Sequence, residues 1–285
     1  MYNIEIMRRI VNKKNLEDRL KIIAKKVRSS IIEIACKSKS AHVGSSLSCV
    51  DILVSLYFYQ LRIDINDWEN RDIFILSKAH AAMALYATLA VKGIITKSDF
   101  DGYLQNNGTL PGHLDRFVAK GIEVSAGSLG HGFNMALGMA YGYKIRHDKR
   151  KIFVLIGDGE SQEGSIWEGA LFASKLCLNN LTAIMDYNNL QGYGRPNDIC
   201  HFEPIVDKWR AFGWEVYRVN GHNFNEIIAA FKQSQGRKPK IIIADTRKGK
   251  GVSFMEDEMK WHYFIVTDEI REKAMCDLCE AIDEK

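Results

Sequence analysis

The sequence predicts an α/β fold in which a doubly wound, mainly parallel sheet carries helices on both of its faces. Short and partly β-branched apolar runs, such as residues 152–156 and 181–185, end in turn residues, as buried parallel strands do. Segments with helical spacing of apolar residues lie between such runs, so that strands and helices alternate along the chain. Connections of this kind bring successive strands back into one sheet in parallel.

The first part of the chain is predicted to be helical. Apolar residues three or four positions apart give an amphipathic helix over 16–38, and a nearly continuous apolar run gives a buried helix over 50–61. The small residues of 40–48, between these helices, are predicted to form a flexible loop.

The remainder of the chain alternates between strands and helices. The helix predicted over 96–104 begins with Thr96 and Asp99 at the spacing of a capping box. The other elements, in chain order, are strand 72–76, helix 81–91, helix 133–146, strand 152–156, helix 164–178, strand 181–185, helix 204–212, strand 214–220, helix 224–234, strand 240–246 and helix 268–283. No repeat or linker interrupts them, which predicts one domain over 1–285 with an N-terminal helical segment over 1–40 and a C-terminal helix over 268–283.

Composition excludes several classes of function. A net charge of +4 and the lack of a basic stripe with interleaved aromatics argue against a nucleic-acid partner. No apolar run approaches the length of a membrane span, and the charged N-terminus does not resemble a signal peptide. The six cysteines lie mostly in apolar or helical segments, as reduced thiols of a cytoplasmic protein do. We therefore expect a cytoplasmic protein with neither a membrane nor a nucleic-acid partner.

Polar residues follow two neighbouring strands of the predicted sheet. Asp158 comes after the strand at 152–156, and Asn188 comes after the strand at 181–185. Parallel strands end at the same edge of a sheet, where open α/β proteins bind ligands. Carboxylate and amide oxygens suit Mg²⁺ or Ca²⁺, with water and a phosphate completing the shell. Taken alone, Gly157-Asp158-Gly159 could equally be a tight turn, but with the matching Asn188 it predicts a metal-diphosphate site.

The sequence GDGESQEGSIWEGA resembles the thiamine-diphosphate motif in its transketolase version. The resemblance implies that Asp158, Asn188 and the backbone carbonyl of Leu190 hold the metal, and that Asn188 also contacts the cofactor. It implies that Gly157 and Gly159 allow the backbone to approach the diphosphate. Gln162 stands where a dinucleotide fingerprint would need its third glycine, and no P-loop motif occurs.

Further motifs extend the resemblance over roughly residues 16–265. Gly127, Ser128 and Leu129 match the loop that wraps the aminopyrimidine ring of the cofactor. Glu163 and Glu168 match positions at the contact with a partner subunit. His131 stands where the family often has glutamine, and we assign it no role.

Four histidines lie in predicted loops, and two of them have a simpler interpretation, His42 as part of an N-cap loop and His113 as a solvent-facing turn residue. His42 lies in a segment similar to the family's GHPGGSLS, His80 in one similar to LSxGHxxxALY, His113 in one similar to PGHPE, and His262 in one similar to KGKGVSFME…WHG. The resemblance implies catalytic roles for His42, His113 and His262, and cofactor contacts for His80 and His262. Imidazoles can accept or donate a proton near neutral pH.

The resemblance covers only the diphosphate-binding third of a full transketolase. We find no segment similar to the pyrimidine-binding domain, which carries the glutamate that activates the cofactor. The sequence therefore predicts the N-terminal subunit of a two-subunit transketolase that uses thiamine diphosphate and Mg²⁺ on sugars or sugar phosphates. The expected partner is a C-terminal subunit, in a heterotetramer. The alternatives are one chain of a 2-oxo-acid dehydrogenase or of a deoxyxylulose-phosphate synthase, a non-catalytic homologue, and a magnesium-dependent phosphate-ester enzyme.

Overall fold

Five parallel strands form the sheet around which the chain folds in a computed structural model that describes residues 15–233 and 236–280. The strands are β1 (Ile73–Leu76), β2 (Ile152–Gly157), β3 (Leu181–Tyr187), β4 (Glu215–Asn220) and β5 (Lys240–Asp245), and they lie in the order β1-β2-β3-β5-β4. In the central pair, Gly157 of β2 lies opposite Asp186 of β3. The predicted parallel α/β sheet is confirmed.

Eleven α-helical segments of the described residues connect and cover the strands. They are α1 (Leu16–Ser38), α2 (Val43–Ser48), α3 (Val50–Ser55), α4 (Ala82–Lys92), α5 (Lys97–Asp101), α6 (His131–Ile145), α7 (Gly164–Lys175), α8 (Pro196–Ile199), α9 (Ile205–Ala211), α10 (Phe224–Lys232) and α11 (Asp268–Glu280). The expected helical character of 1–14, and the ends of the helices predicted at 224–234 and 268–283, fall outside the described residues. The division into one domain remains a prediction.

The inner strands are apolar because both of their faces are covered. Every residue of β2 and β3 is buried, whereas β4 at the edge of the sheet is only partly covered. The one charged residue within β3 is Asp186, and it is fully buried. A carboxylate in such a place requires a compensating partner.

The prediction of a flexible loop over 40–48 is wrong, because Val43–Ser48 is the short helix α2. All six residues of α2 are buried, and a side chain on Gly44 would come within 3.2 Å of Trp261. Backbone amides in such a tightly packed interior have no access to water. They bond to one another instead, beginning with the amide of Ser46, which donates to the carbonyl of His42 at 3.0 Å.

Helix boundaries differ from the prediction elsewhere too, and two of these differences follow from local structure. The helix expected over 50–61 keeps α-helical geometry only to Ser55 and continues as a π-helical turn over Leu56–Gln60. The helix expected over 96–104 begins with the predicted capping box, in which Thr96 and Asp99 bond to each other's backbone amides. It ends at Asp101, because Gly102 follows it as the C-cap.

Among the described residues, we find no helix with both the length and the apolar composition that crossing a membrane requires.

Candidate active site

The predicted metal donors lie together at the carboxyl edge of β2 and β3. The Asp158 carboxylate accepts the Asn189 amide proton at 2.7 Å, and the Asn188 side-chain oxygen accepts the Leu190 amide proton at 3.1 Å. The chain turns sharply here, with Asn189 at a φ of 57°. The loop that follows β3 therefore folds back on the end of β2, as the parallel sheet was expected to allow.

Asp158 is well suited to hold a cation. The residue is 4% exposed, and its second oxygen accepts the Gly159 amide proton at 2.7 Å. Burial and the nearby Asp186 carboxylate raise the pKa of Asp158 to about 6. In residues 15–233 and 236–280, no three carboxylate, imidazole or thiol side chains converge as metal ligands. The set is therefore one carboxylate with amide and carbonyl oxygens, which fits Mg²⁺ or Ca²⁺ when a phosphate completes the shell.

A buried ion pair beneath these donors was not predicted from the sequence. Asp186 accepts hydrogen bonds from the Lys78 ammonium at 2.5 Å and from the Ser48 hydroxyl at 2.6 Å, and also from the Thr246 hydroxyl. Burial opposes ionisation of Asp186, but Lys78 and these hydroxyls lower its pKa overall. The sequence signal that could have revealed this ion pair was a lysine and an aspartate within otherwise apolar segments.

Asp186 also orients the predicted metal ligand Asn188. The side-chain nitrogen of Asn188 donates at 3.3 Å to the Asp186 oxygen that also accepts from Lys78 and Ser48. Because an amide has its donor and its acceptor on opposite sides, this contact turns the Asn188 oxygen away from Asp186. The ion pair thus sets which atom of Asn188 is free to act as a ligand.

Lys248 connects the metal donors with the histidines, and sequence reasoning gave it no role. It is 1% exposed, and its ammonium donates to the Leu190 carbonyl at 2.8 Å and to Nδ1 of His262 at 2.9 Å. Burial, followed by repulsion from Lys78, lowers the pKa of Lys248 to about 8. A carbonyl oxygen has two lone pairs, so this contact leaves one at Leu190 for a metal.

The four predicted histidines form one cluster although they come from four separate segments. The ring centroids of His42 lie 5.4 Å from His80, 6.2 Å from His113 and 5.0 Å from His262, and those of His80 and His262 are 5.7 Å apart. His42, His80 and His262 are half-buried, whereas His113 is exposed. The cluster therefore has an open side at His113.

His42, His80 and His113 are each held by a distinct local structure. His42 precedes α2 in the left-handed conformation, with a φ of 68°, and its backbone amide donates to the His262 carbonyl at 3.0 Å. His80 lies in a single 3-10 turn, Ala79–Ala81, between β1 and α4. His113 lies in a turn that is joined to the 126 region by the bridge between Leu114 and Ala126.

The buried imidazoles are neutral at pH 7. Burial first, and then the surrounding imidazoles and lysines, lower the pKa of His42 to about 4 and that of His262 to about 3. The same causes place the pKa of His80 well below its usual value of 6.5. Neutral imidazoles are available as proton acceptors.

The predicted aminopyrimidine loop borders the histidine cluster. A side chain on Gly127 would meet the ring of His113 at 3.7 Å, while Ser128 is exposed and Leu129 is half-buried. Gly157 ends β2 and Gly159 follows Asp158, and a side chain on Gly159 would meet Gln191 at 2.9 Å.

Glu160 ties these loops together, and it was not predicted. Its carboxylate is 2% exposed and accepts the amide protons of Gly130 at 2.9 Å and Gly157 at 3.1 Å, as well as the Ser77 hydroxyl proton. It joins the ends of β1 and β2 to the loop before α6. By contrast, Glu163 and Glu168, expected at a contact between chains, are both exposed near the start of α7.

Comparison with known proteins places this chain in a family. The family model described as "Transketolase, thiamine diphosphate binding domain" matches residues 20–274. The chain is 42% identical over 257 residues to the "6-deoxy-6-sulfo-D-fructose transketolase subunit SqwG" of Clostridium sp., covering 88% of this chain and 93% of the relative. It is 40% identical over 268 residues to an apulose-4-phosphate transketolase subunit of Phocaeicola vulgatus, covering 93% of this chain and 95% of the relative.

A crystal structure of transketolase from Campylobacter jejuni has a similar fold. The TM-score is 0.82 at 29% sequence identity, over 97% of this chain. The chain spans only 43% of that longer protein. This chain is therefore similar to the two subunits over nearly their whole length, but it matches only part of the longer transketolase.

Proposed function

This chain belongs to the transketolase family, as a thiamine diphosphate binding domain, and on that premise we propose that it is the N-terminal subunit of a two-subunit transketolase. It transfers a two-carbon ketol unit from a ketose or ketose-phosphate donor to an aldose acceptor, using thiamine diphosphate and Mg²⁺, which Ca²⁺ can replace. The activity is of the transketolase type and requires a partner subunit.

The observation that carries this proposal is the double contact of Lys248. Its ammonium bonds both to the Leu190 carbonyl, a predicted metal ligand, and to His262, a predicted catalytic residue. The metal donors and the histidine cluster are thus parts of one site. A phosphate-binding protein without ketol chemistry would have no need for four imidazoles at that place.

The chain's own residues would hold the cofactor by its diphosphate. Asp158, Asn188 and the Leu190 carbonyl would hold the metal, whose charge would neutralise the diphosphate. Gly157 and Gly159 let the backbone approach it. When bound, thiamine diphosphate supplies the electron sink for cleavage of a carbon–carbon bond next to a carbonyl.

The histidines move protons at the sugar hydroxyls. Cleavage of a ketose donor requires removal of a hydroxyl proton, and release of the new ketose requires that a proton be returned. His42, His113 and His262 perform these transfers, and His80 and His262 contact the cofactor. His42 and His262 are neutral at pH 7, so each has a nitrogen lone pair that can accept a proton.

A partner chain completes the site in this proposal. Gly127, Ser128 and Leu129 reach the aminopyrimidine ring from this side, and Glu163 and Glu168 meet the partner, which contributes the pyrimidine-binding domain and the activating glutamate. The names of the two relatives from Clostridium sp. and Phocaeicola vulgatus include the word subunit, which supports a split enzyme. An obligate interface of this kind buries about 2,000 Å² or more, and we expect two copies of each chain.

Native mass spectrometry and a ketol-transfer assay test this proposal together. The chain and the product of the neighbouring reading frame are purified separately and mixed with thiamine diphosphate and Mg²⁺. We expect a heterotetramer that forms a new ketose from fructose 6-phosphate and an aldose. Decarboxylation of a 2-oxo acid would favour the two alternative enzyme classes, and cofactor binding without any turnover would favour a non-catalytic homologue.

A further inference from the structure

We propose that Tyr263, together with Tyr193 beside it, forms an aromatic wall of the sugar site and contacts the hydroxylated carbon chain of the donor ketose. This inference rests on the proposed function and adds a substrate contact to it. The family segment to which this sequence is similar ends in Trp-His-Gly, whereas this chain continues from Trp261 and His262 with Tyr263.

Tyr263 lies directly against the histidine cluster. Its ring centroid is 4.7 Å from that of His262, at an interplanar angle of 61°. The His262 ring is in turn 5.0 Å from that of His42. A sugar with a hydroxyl near these imidazoles is therefore within reach of the Tyr263 phenol.

A space for the phenol is built into the neighbouring loop. A side chain on Gly192 would lie 2.4 Å from the Tyr263 hydroxyl oxygen and 3.1 Å from the adjacent ring carbon. The backbone of Gly192 does not have a positive φ, so that glycine is needed there for room. A side chain on Gly192 would also come within 3.3 Å of the His262 ring, so the phenol hydroxyl and that ring lie against the same glycine.

The two tyrosines present polar groups on exposed rings. Tyr193 is 86% exposed and Tyr263 is 52% exposed, so both rings are open to a ligand. Partial burial and the neighbouring Tyr193 hydroxyl raise the pKa of Tyr263. The phenol is therefore neutral at pH 7 and can both donate and accept a hydrogen bond.

A sugar chain fits this chemistry better than an apolar surface of the partner subunit. The ring faces can pack against carbon-bound hydrogens, while the two hydroxyls bond to the hydroxyls of the sugar. A contact with an apolar partner surface would leave these hydroxyls desolvated, which is costly unless they remain hydrogen-bonded.

Three variants assembled with the partner chain test the inference by steady-state kinetics. Tyr263→Phe removes one hydroxyl, Tyr263→Gly removes the ring as well, and Tyr141→Phe is a matched control, because Tyr141 is an exposed tyrosine on α6 next to Phe172. We expect Tyr263→Phe to raise KM for fructose 6-phosphate about tenfold, as the loss of one hydrogen bond does. Tyr263→Gly should raise it further, and Tyr141→Phe should not change it. The affinity for thiamine diphosphate should stay constant in all three.

Two further measurements separate the outcomes. Native mass spectrometry reports assembly, and a weakened complex with an unchanged KM would overturn the inference in favour of a partner contact. An unchanged KM in both Tyr263 variants with normal assembly would also overturn it. Saturation-transfer NMR from the aromatic protons to fructose 6-phosphate detects contact without turnover. If the wild-type assembly shows such transfer, and the Tyr263→Gly assembly does not, the sugar contact stands even where ketol transfer itself is absent.

Discussion

The backbone amide of His42 donates a 3.0 Å hydrogen bond to the backbone carbonyl of His262. This bond joins the start of α2 to a turn near the opposite end of the chain, and it sets the two imidazole rings 5.0 Å apart at 89°. Since only backbone atoms take part, the bond does not depend on either side chain. Substitution of one imidazole therefore removes its chemistry while the loop geometry is retained.

His42→Asn and His262→Gln should each lower kcat for ketol transfer by about 100-fold or more, as loss of acid–base catalysis commonly does. Asparagine is chosen at position 42 because it tolerates the φ of 68° better than alanine does. The matched control is His147→Asn, since His147 is exposed and has a φ of 56°. Wild-type turnover in both site variants would remove these residues from the mechanism.

The pKa values of the two imidazoles can be measured directly. NMR titration, assigned with the His42→Asn and His262→Gln variants, should give midpoints near 4 and 3, well below the usual 6.5. Midpoints near 6.5 would show that the rings are hydrated, and would contradict the buried cluster.

These pKa values also affect stability in acid. Because the folded pKa is lower than the unfolded one, the unfolded chain binds protons first as the pH falls below about 6.5. The free energy of unfolding should therefore be independent of these groups above pH 6.5, and should decrease as the pH falls towards 4. Urea unfolding at several pH values should show that the free energy of unfolding of His42→Asn varies less steeply with pH than that of the wild type. The difference in slope should correspond to up to about one proton. An identical slope in the variant and the wild type would contradict this assignment.

Asp158→Asn should abolish Mg²⁺-dependent binding of thiamine diphosphate while the fold is retained. The variant keeps one oxygen that can accept the amide protons of Gly159 or Asn189, but it loses the charge that would hold the metal. Calorimetry with and without Mg²⁺ gives the affinity, and circular dichroism reports the fold. The exposed carboxylate of Asp207 provides the control variant Asp207→Asn. Equal affinities in Asp158→Asn and Asp207→Asn would exclude Asp158 from the metal site.

Lys78→Met should destabilise the fold by about 3–5 kcal/mol, because it leaves the buried Asp186 carboxylate without its counter-ion. Adding Asp186→Asn to this variant should recover part of the loss. The exposed pair of Arg210 and Asp207 is the comparison, and there Arg210→Met should cost less than about 1 kcal/mol. Urea unfolding in the absence of metal measures the free energy of unfolding of these variants and of the single variant Asp186→Asn. Additive effects at Lys78 and Asp186 would mean that the two side chains are not coupled.

The sheet was predictable because its signal is local. Each strand is an apolar run that ends at turn residues, so the ends of β2 and β3, with Asp158 and Asn188, could be located from sequence alone. The ion pair of Lys78 and Asp186 could not be located from sequence. Lys78 follows β1 and Asp186 lies in β3, and only the fold brings the two side chains together.

Helix α2 was missed for a different reason. Serine and glycine have low intrinsic helix propensity, and a six-residue helix is unstable in isolation. It forms because the surrounding chain excludes water from its backbone. The contact of Lys248 with Leu190 and His262 depends on the same packing, and so it could not be inferred from its motif.

In the proposed function, this chain moves an intact two-carbon unit only together with a partner. Fructose 6-phosphate labelled with ¹³C at C1 and C2 is supplied with an unlabelled aldose, Mg²⁺ and thiamine diphosphate, and products are followed by ¹³C NMR. With both chains present, we expect a new ketose in which C1 and C2 remain coupled to each other, and with this chain alone we expect no transfer. Turnover by this chain alone, with no co-purifying protein detected by mass spectrometry, or failure of the assembled pair to pass on the coupled carbons, would contradict it.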